Sequence, residues 1–141
     1  MTGIDVSADA LEVARANAER AGLDVSFDLR DVQDGLDGSY DLVVSNPPYV
    51  SAGELAGLQP EVRDGEPRRA LVDDGTSDAV AVAARDVLRP GGHLVLEIHE
   101  DRGAAMTELL AGLGYEDVHV RPDLAGRDRL VEGRWATSSS R

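Results

Sequence analysis

The residues best suited to chemistry in this chain are Asn46-Pro47-Pro48-Tyr49, a polar tetrapeptide directly behind the strand-like run Tyr40-Asp41-Leu42-Val43-Val44-Ser45. Two consecutive prolines fix φ, remove two backbone donors and press Asn46 into an extended conformation. The Asn46 amide and the neighbouring carbonyls therefore point in defined directions. One reading is a stiff turn in which Asn46 bonds its own backbone. The other is chemical: an amide or exocyclic amino nitrogen is planar, its lone pair is delocalised, and it is a poor nucleophile. If the Asn46 side-chain oxygen and the Pro47 carbonyl each accept one of its N–H groups, the lone pair can be aimed at an electrophile while Tyr49 packs against the flat group. Catalysis would then come from orientation, desolvation and electrostatics, with no strong base needed before attack.

Elements that could position such a group follow from the patterning. Gly3 to Val6 reads as a short strand, and Ser7 caps a helix to about Ala21, with Leu11, Ala14, Ala18 and Ala21 at helical spacing and Gly22 as its stop. Val25, Phe27 and Leu29 alternate as a second strand, and Tyr40 to Ser45 is a third after an Asp- and Gly-rich loop. Thr76 or Ser77 opens a helix to Leu88, with Val80, Ala83, Ala84 and Val87 on its apolar stripe and Arg89-Pro90-Gly91-Gly92 ending it. Leu94, Leu96 and Ile98 mark a strand, and Asp101 to Gly112 a helix with Met106, Leu109, Leu110 and Leu113 inward. Tyr115 to Arg121 and Arg129 to Trp135 are strands close enough in sequence to pair antiparallel. The fold class is α/β, with parallel crossovers and an antiparallel pair at the end.

In such a sheet ligands collect at the carboxyl ends of the strands. Asp5 closes the first strand and can accept two hydrogen bonds from a ribose diol, or serve as a turn residue at the helix start. Asp31-Val32, after the second strand, can offer a carboxylate to an adenine amino group and an apolar face to its ring, or belong to a solvated acidic loop. His93, Glu97 and His99 fall at even spacing without a metal-ligand pattern, and His119 stands alone, so structural or solvated roles are expected. The long Gly- and Pro-punctuated stretch Ser51 to Asp74 reads as a substrate wall.

Composition narrows the function classes. At 141 residues the chain is one domain or part of one. A formal net charge of -13 with scattered arginines opposes direct binding to DNA or anionic membranes. Without cysteine there is no disulfide, thiolate nucleophile or Cys-ligated metal. No apolar run approaches a membrane span and no signal-peptide pattern opens the chain, so a soluble cytoplasmic protein is expected. The start, Met1-Thr2-Gly3-Ile4-Asp5-Val6, falls almost inside a strand, which gives the expectation of a chain entered midway.

These residues resemble the HemK-type glutamine-N5 methyltransferases that modify peptide-chain release factors, within the class I S-adenosylmethionine-dependent methyltransferases. The resemblance is carried by Gly3-Ile4-Asp5-Val6-Ser7, Asn46-Pro47-Pro48-Tyr49-Val50, Glu61-Val62-Arg63 with Glu66-Pro67, Pro90-Gly91-Gly92, Leu96-Glu97-Ile98 and Asp123-Leu124-Ala125-Gly126-Arg127-Asp128-Arg129. Asn-Pro-Pro-Tyr alone is shared with adenine-N6 methyltransferases; the Glu-Val-Arg and Asp-Leu-Ala-Gly-Arg-Asp-Arg segments are more particular to the release-factor enzymes. The resemblance implies S-adenosyl-L-methionine as cofactor, with Asp5 on its ribose, Asp31 and Val32 on its adenine, and Asn46 also touching it. It implies Asn46 to Tyr49 as the clamp for the glutamine amide, and release factors as protein substrates.

The resemblance also implies a Rossmann-like sheet ordered 3-2-1-4-5-7-6. Relative to it, the expectation is that this chain lacks the N-terminal helical domain and the first, central strand with its Asp-x-Gly-x-Gly-like loop. Residues 1–135 would be a partial catalytic domain and 136–141 a polar tail, and His99 stands where relatives carry glycine. Two other functions are consistent with the residues: an adenine-N6 nucleic-acid methyltransferase, and a non-catalytic fragment or binding subunit whose partner supplies the missing strand.

Overall fold

The computed structural model describes residues 1–48 and 75–136. Tyr49, the Ser51 to Asp74 stretch with its Glu61-Val62-Arg63 and Glu66-Pro67 segments, and tail residues 137–141 lie outside the described residues. The chain divides into two compact units, Met1–Leu36 and Asp37–Arg141.

The first unit is a strand–helix–strand crossover. Strand β1 (Thr2–Asp5) leads into helix α1 (Ala8–Arg20), and strand β2 (Ser26–Leu29) returns parallel to β1, with Gly3 opposite Phe27 and Asp5 opposite Leu29. Ser7 caps α1 as its sequence position predicts: its hydroxyl accepts the Ala10 N–H at 3.2 Å. Gly22 takes φ 66° just past the helix, a left-handed turn that glycine adopts without penalty. Of the expected apolar stripe only Leu11 is buried; Ala14 and Ala18 are half-covered and Ala21 is exposed. Strand β1 ends at Asp5, one residue before the expected end, because the Asp5 carboxylate turns back to accept the Ser7 N–H at 2.7 Å and leaves Val6 outside the ladder.

The second unit is a four-stranded sheet with two helices. Its elements are β3 (Tyr40–Ser45), α2 (Thr76–Val87), β4 (Leu88–Glu97), α3 (Gly103–Leu113), β5 (Tyr115–Pro122) and β6 (Asp128–Trp135). The strand order is β3-β4-β6-β5, with β3 parallel to β4 and β6 antiparallel to both of its neighbours. The expected order without its central strand reads 3-2 and 4-5-7-6, and the two sheets have that order.

Register assigns the faces. Val43 and Ser45 lie opposite Leu94 and Leu96, which in turn face Gly133 and Val131. On this side Leu94, Leu96, Ile98, Met106, Leu110 and Val131 are sealed from solvent, joined by Val80, Ala84 and Val87 of α2. Leu110 packs close over Gly133, where a methyl group would already be tight against Tyr115. Tyr115 anchors the far end. Its ring meets Trp135 edge-on at 5.3 Å, its hydroxyl donates to the Ala81 carbonyl at 2.9 Å, and burial pushes its pKa up to about 12.

The opposite side of the same sheet carries Leu42, Val44, His93, Val95 and Glu97, with Glu132 and Arg134 across the ladder. Leu42 and Val44 remain 54% and 66% exposed, unusual for a strand in a parallel pair. Here Arg121 pairs with Glu132, and Arg134 with Glu116 and Asp117.

Two local differences from the sequence reading have physical causes. Arg89-Pro90-Gly91-Gly92 does end the helix, but β4 already begins at Leu88, where the backbone has turned extended. The ladder to β3 then jumps from Tyr40 opposite Leu88 to Leu42 opposite His93, so the Pro-Gly-Gly segment bulges out where a donorless proline can be tolerated. Gly92 is required there, since a Cβ would press on the Arg89 and Asp41 carbonyls. Helix α3 starts at Gly103 rather than Asp101 because the Asp101 N–H is drawn to His99 Nδ1 at 3.4 Å and the Arg102 N–H to the His99 carbonyl. No helix among the described residues is long and apolar enough to cross a membrane.

Candidate functional site

Within the first unit, Asp5, Asp31 and Val32 come together at one edge. Parallel pairing puts the carboxyl ends of β1 and β2 side by side, and the Arg30 N–H donates to the Asp5 carbonyl at 3.0 Å, which ties the residue before Asp31 to Asp5. The chain then turns through a single 3-10 turn, Val32–Asp34. Asp31 caps it, with Oδ1 accepting the Gln33 N–H at 2.9 Å, and this fixes Asp31 and Val32 beside the strand end.

Asp5 spends one carboxylate oxygen on the Ser7 N–H. A carboxylate has about four acceptor positions across its two oxygens, so capacity for a vicinal diol remains. Asp5 is exposed, whereas Asp31 and Val32 are half-buried, as suits a residue that meets a hydrophilic sugar and a pair that flanks a flat ring. The carboxylate acceptors of this edge fit the hydroxyl and amino donors of a nucleoside.

Within the second unit, Asn46-Pro47-Pro48 follows β3 immediately, at the carboxyl end of the parallel pair β3–β4. Asn46 is exposed, Pro47 buried and Pro48 half-buried. The tetrapeptide's first three residues thus form a fixed platform with a packed proline and a presented amide. Tyr49, the fourth, lies outside the described residues.

Other residues gather at the same end. The Ile98 N–H donates to the Arg129 carbonyl at 2.8 Å, bringing the β5–β6 connection next to the end of β4. Asp123 organises that connection. Its Oδ1 accepts the Ala125 and Arg127 N–H groups at 2.8 and 3.1 Å, and its Oδ2 lies 3.3 Å from the Arg129 guanidinium. The Arg127 backbone bond, with further help from Ala125, Arg129 and the Arg127 charge, holds the Asp123 carboxyl below the usual carboxylate range. In the sequence Asp123 is only one residue of a segment shared with the resembled family. The signal was there: an Asp followed by Gly at the third position and Arg at the fourth and sixth is a turn whose own side chain can collect its donors.

The histidines lie apart from these residues in their contacts. His93 shares a face with Glu97, as even spacing requires, and contributes with His119 to the field that, after Arg121, lowers the Glu132 pKa. His99 has left the strand and lies 3.6 Å from Asp101. Among the described residues no group of His, Asp and Glu could hold a metal ion.

Comparisons with known proteins bear on the fold and the family. Proteins named release factor glutamine methyltransferase from Cereibacter sphaeroides and Chlorobaculum tepidum are each 45% identical to the chain over 92% of its length. The chain covers 49% and 47% of them, so it spans about half the length of the curated relatives it matches. A methyltransferase from Pyrococcus furiosus superposes with a TM-score of 0.68 at 22% identity, over 96% of this chain and 62% of that one. An N-methyltransferase from Bradyrhizobium japonicum, solved with S-adenosyl-L-homocysteine, gives a TM-score of 0.60 at 16% identity over 98% of this chain and 66% of that one. At such identities the two structures speak for a shared fold. The family model described as a methyltransferase domain matches residues 1–125, most of the sequence, and the chain belongs to that family.

Proposed function

We propose that this chain carries the catalytic half of a glutamine-N5 methyltransferase acting on peptide-chain release factors, with S-adenosyl-L-methionine as methyl donor. The carrying observation is the Asn46-Pro47-Pro48 platform at the carboxyl end of β3, Pro47 packed and Asn46 presented, in a chain 45% identical to proteins bearing that name. Residues 1–135 are the methyltransferase part and 136–141 a tail.

When bound, the cofactor supplies an electrophilic methyl group on a sulfonium. The protein's own residues do the rest. Asp5 accepts hydrogen bonds from the ribose hydroxyls; Asp31 accepts from the adenine amino group while Val32 packs on the ring; Asn46 also touches the cofactor. The Asn46 side-chain oxygen and the Pro47 carbonyl each accept one N–H of the substrate amide. Pro48 holds the backbone extended, and Tyr49 covers the planar group. Two acceptors fix the nitrogen's orientation and stabilise the positive charge that grows on it, which lowers the barrier without a strong base. The nitrogen takes the methyl group as the carbon–sulfur bond breaks and then gives one N–H proton to solvent, so the products are N5-methylglutamine, S-adenosylhomocysteine and a proton.

A net charge of -13 supports a protein substrate over DNA or a membrane surface, and the cytoplasm is the compartment this reading assigns. The test is transfer of labelled methyl to a release factor, with the labelled residue identified by mass spectrometry. Label on a glutamine side chain is expected, whereas label on adenine in nucleic acid, with none on glutamine, overturns the reading.

A further inference from the structure

The connection between β5 and β6 is a closed, stiff loop with one large apolar residue on its outside. The Asp123 N–H donates to the Arg127 carbonyl at 2.7 Å and the Gly126 N–H to the Asp123 carbonyl at 2.9 Å, with Gly126 at φ 78°. The Asp123 carboxylate takes the two further backbone donors described above, and Arg127 Nε lies 3.4 Å from it and 3.6 Å from Glu100. Polar groups are thus turned inward on one another. Leu124 is turned out, at 110% relative exposure. A lone exposed leucine is ordinary on a protein surface, but one at the tip of a loop held this firmly loses little freedom on binding a partner.

Its position is the second observation. The β5–β6 connection lies at the same end of the sheet as Asn46, because β3 and β4 are parallel and β6 runs antiparallel to β4. Strands β3 and β6 are separated by β4, two strand spacings or about 10 Å. A protein that presents a side-chain amide at Asn46 must lay neighbouring residues across this end. The arginines of the loop are engaged with Asp123 and Glu100, so the tip offers an apolar contact rather than free cations for phosphate.

We propose that Leu124 is a docking residue for the protein substrate, packing against an apolar side chain on the substrate surface beside the reacting glutamine, and that Asp123 is the positioning residue that holds it there. This rests on the glutamine-methyltransferase reading above. Burying one leucine side chain corresponds to about a 10-fold effect on apparent affinity.

The test is steady-state methyl transfer by the full chain to an intact release factor and to a short glutamine-containing peptide from it. L124S is expected to raise KM for the intact factor about 10-fold, with kcat and the peptide reaction unchanged, and Leu124→Met to restore it. D123A, which keeps the leucine but frees the loop, is expected to raise the same KM about threefold. Thermal melting checks that L124S folds, as a fully exposed position requires. Wild-type transfer to glutamine with an L124S KM within twofold overturns the docking role and leaves the reaction assigned. An equal effect on the short peptide overturns it too. Label on adenine in nucleic acid, with none on glutamine, overturns the reaction, and the docking role with it.

Discussion

Asp5→Asn separates the two duties that the first strand end gives one carboxylate. Asn keeps an oxygen where Asp5 Oδ1 accepts the Ser7 N–H at 2.7 Å, so the turn into α1 and its Ser7 cap survive. It replaces the second oxygen by a donor and removes the charge. A hydrogen bond to a charged acceptor contributes about 1.5–3 kcal/mol and a neutral one about 0.5–1.5. One diol bond is then lost and the other weakened, and since Asp5 is exposed the lower ends apply. The net loss is about 2.5 kcal/mol, near 70-fold in Kd. Isothermal titration with S-adenosylhomocysteine measures this, with the melting midpoint unchanged. Asp5→Ala loses both diol bonds and should therefore weaken binding more than Asn does, by about 3 kcal/mol, and it should also lower the melting midpoint by a few degrees, because the Ser7 N–H is left without its acceptor. Cofactor affinity of D5N within twofold of wild type refutes the ribose assignment, and with it the reasoning that the ends of β1 and β2 form the nucleoside edge.

Further outcomes follow from the other anchored residues. Asn46→Ala, at an exposed position, should leave folding intact and cut methyl transfer by about 10²–10³ in kcat, the effect of removing one preorganised hydrogen-bonding group; a drop under threefold argues against the clamp. Tyr115→Phe removes the buried donor to the Ala81 carbonyl and should cost about 1 kcal/mol in urea unfolding without changing transfer kinetics. The Asp123 pKa is lowered in the fold, so its contribution is complete above the ordinary carboxylate value of about 3.9 and is lost as pH falls through the lowered value. Amide resonances of Ala125 and Arg127 should hold steady from pH 7 to pH 5 and shift only in stronger acid; a change between pH 7 and pH 5 contradicts this.

Local pattern made much of this fold legible. Val80, Ala83, Ala84 and Val87 announce α2 by spacing alone, and all four are buried. Strand β3 runs over the residues its apolar run indicated, and the pairing of β5 with β6 follows from the shortness of their connection. The convergence of Asp5 and Asp31 was legible for a similar reason, since neighbouring parallel strands must bring them to one end.

What was hidden depends on residues far apart in the chain. The stretch of β4 from Leu88 through Pro90 exists because Tyr40 pairs with Leu88, which no local propensity records. The Asp128 carboxylate lies against Gly103, so a side chain there would have to displace it, and the contact joins α3 to a strand 25 positions later in numbering. Asp123 reads as one acid among 27 acidic residues until the turn closes and its donors converge.

The order β3-β4-β6-β5 also has a meaning in time. Strand β6 is the last of these strands to leave a ribosome, yet it is paired on both edges and its Val131 is fully sealed. Until Asp128–Trp135 has been synthesised, β4 keeps an open edge beside Leu94 and Leu96, and β5 has no strand to pair with. The sheet is therefore finished as a late insertion rather than by growth from one side, and a nascent chain halted before Asp128 exposes the edge most prone to pair with another molecule.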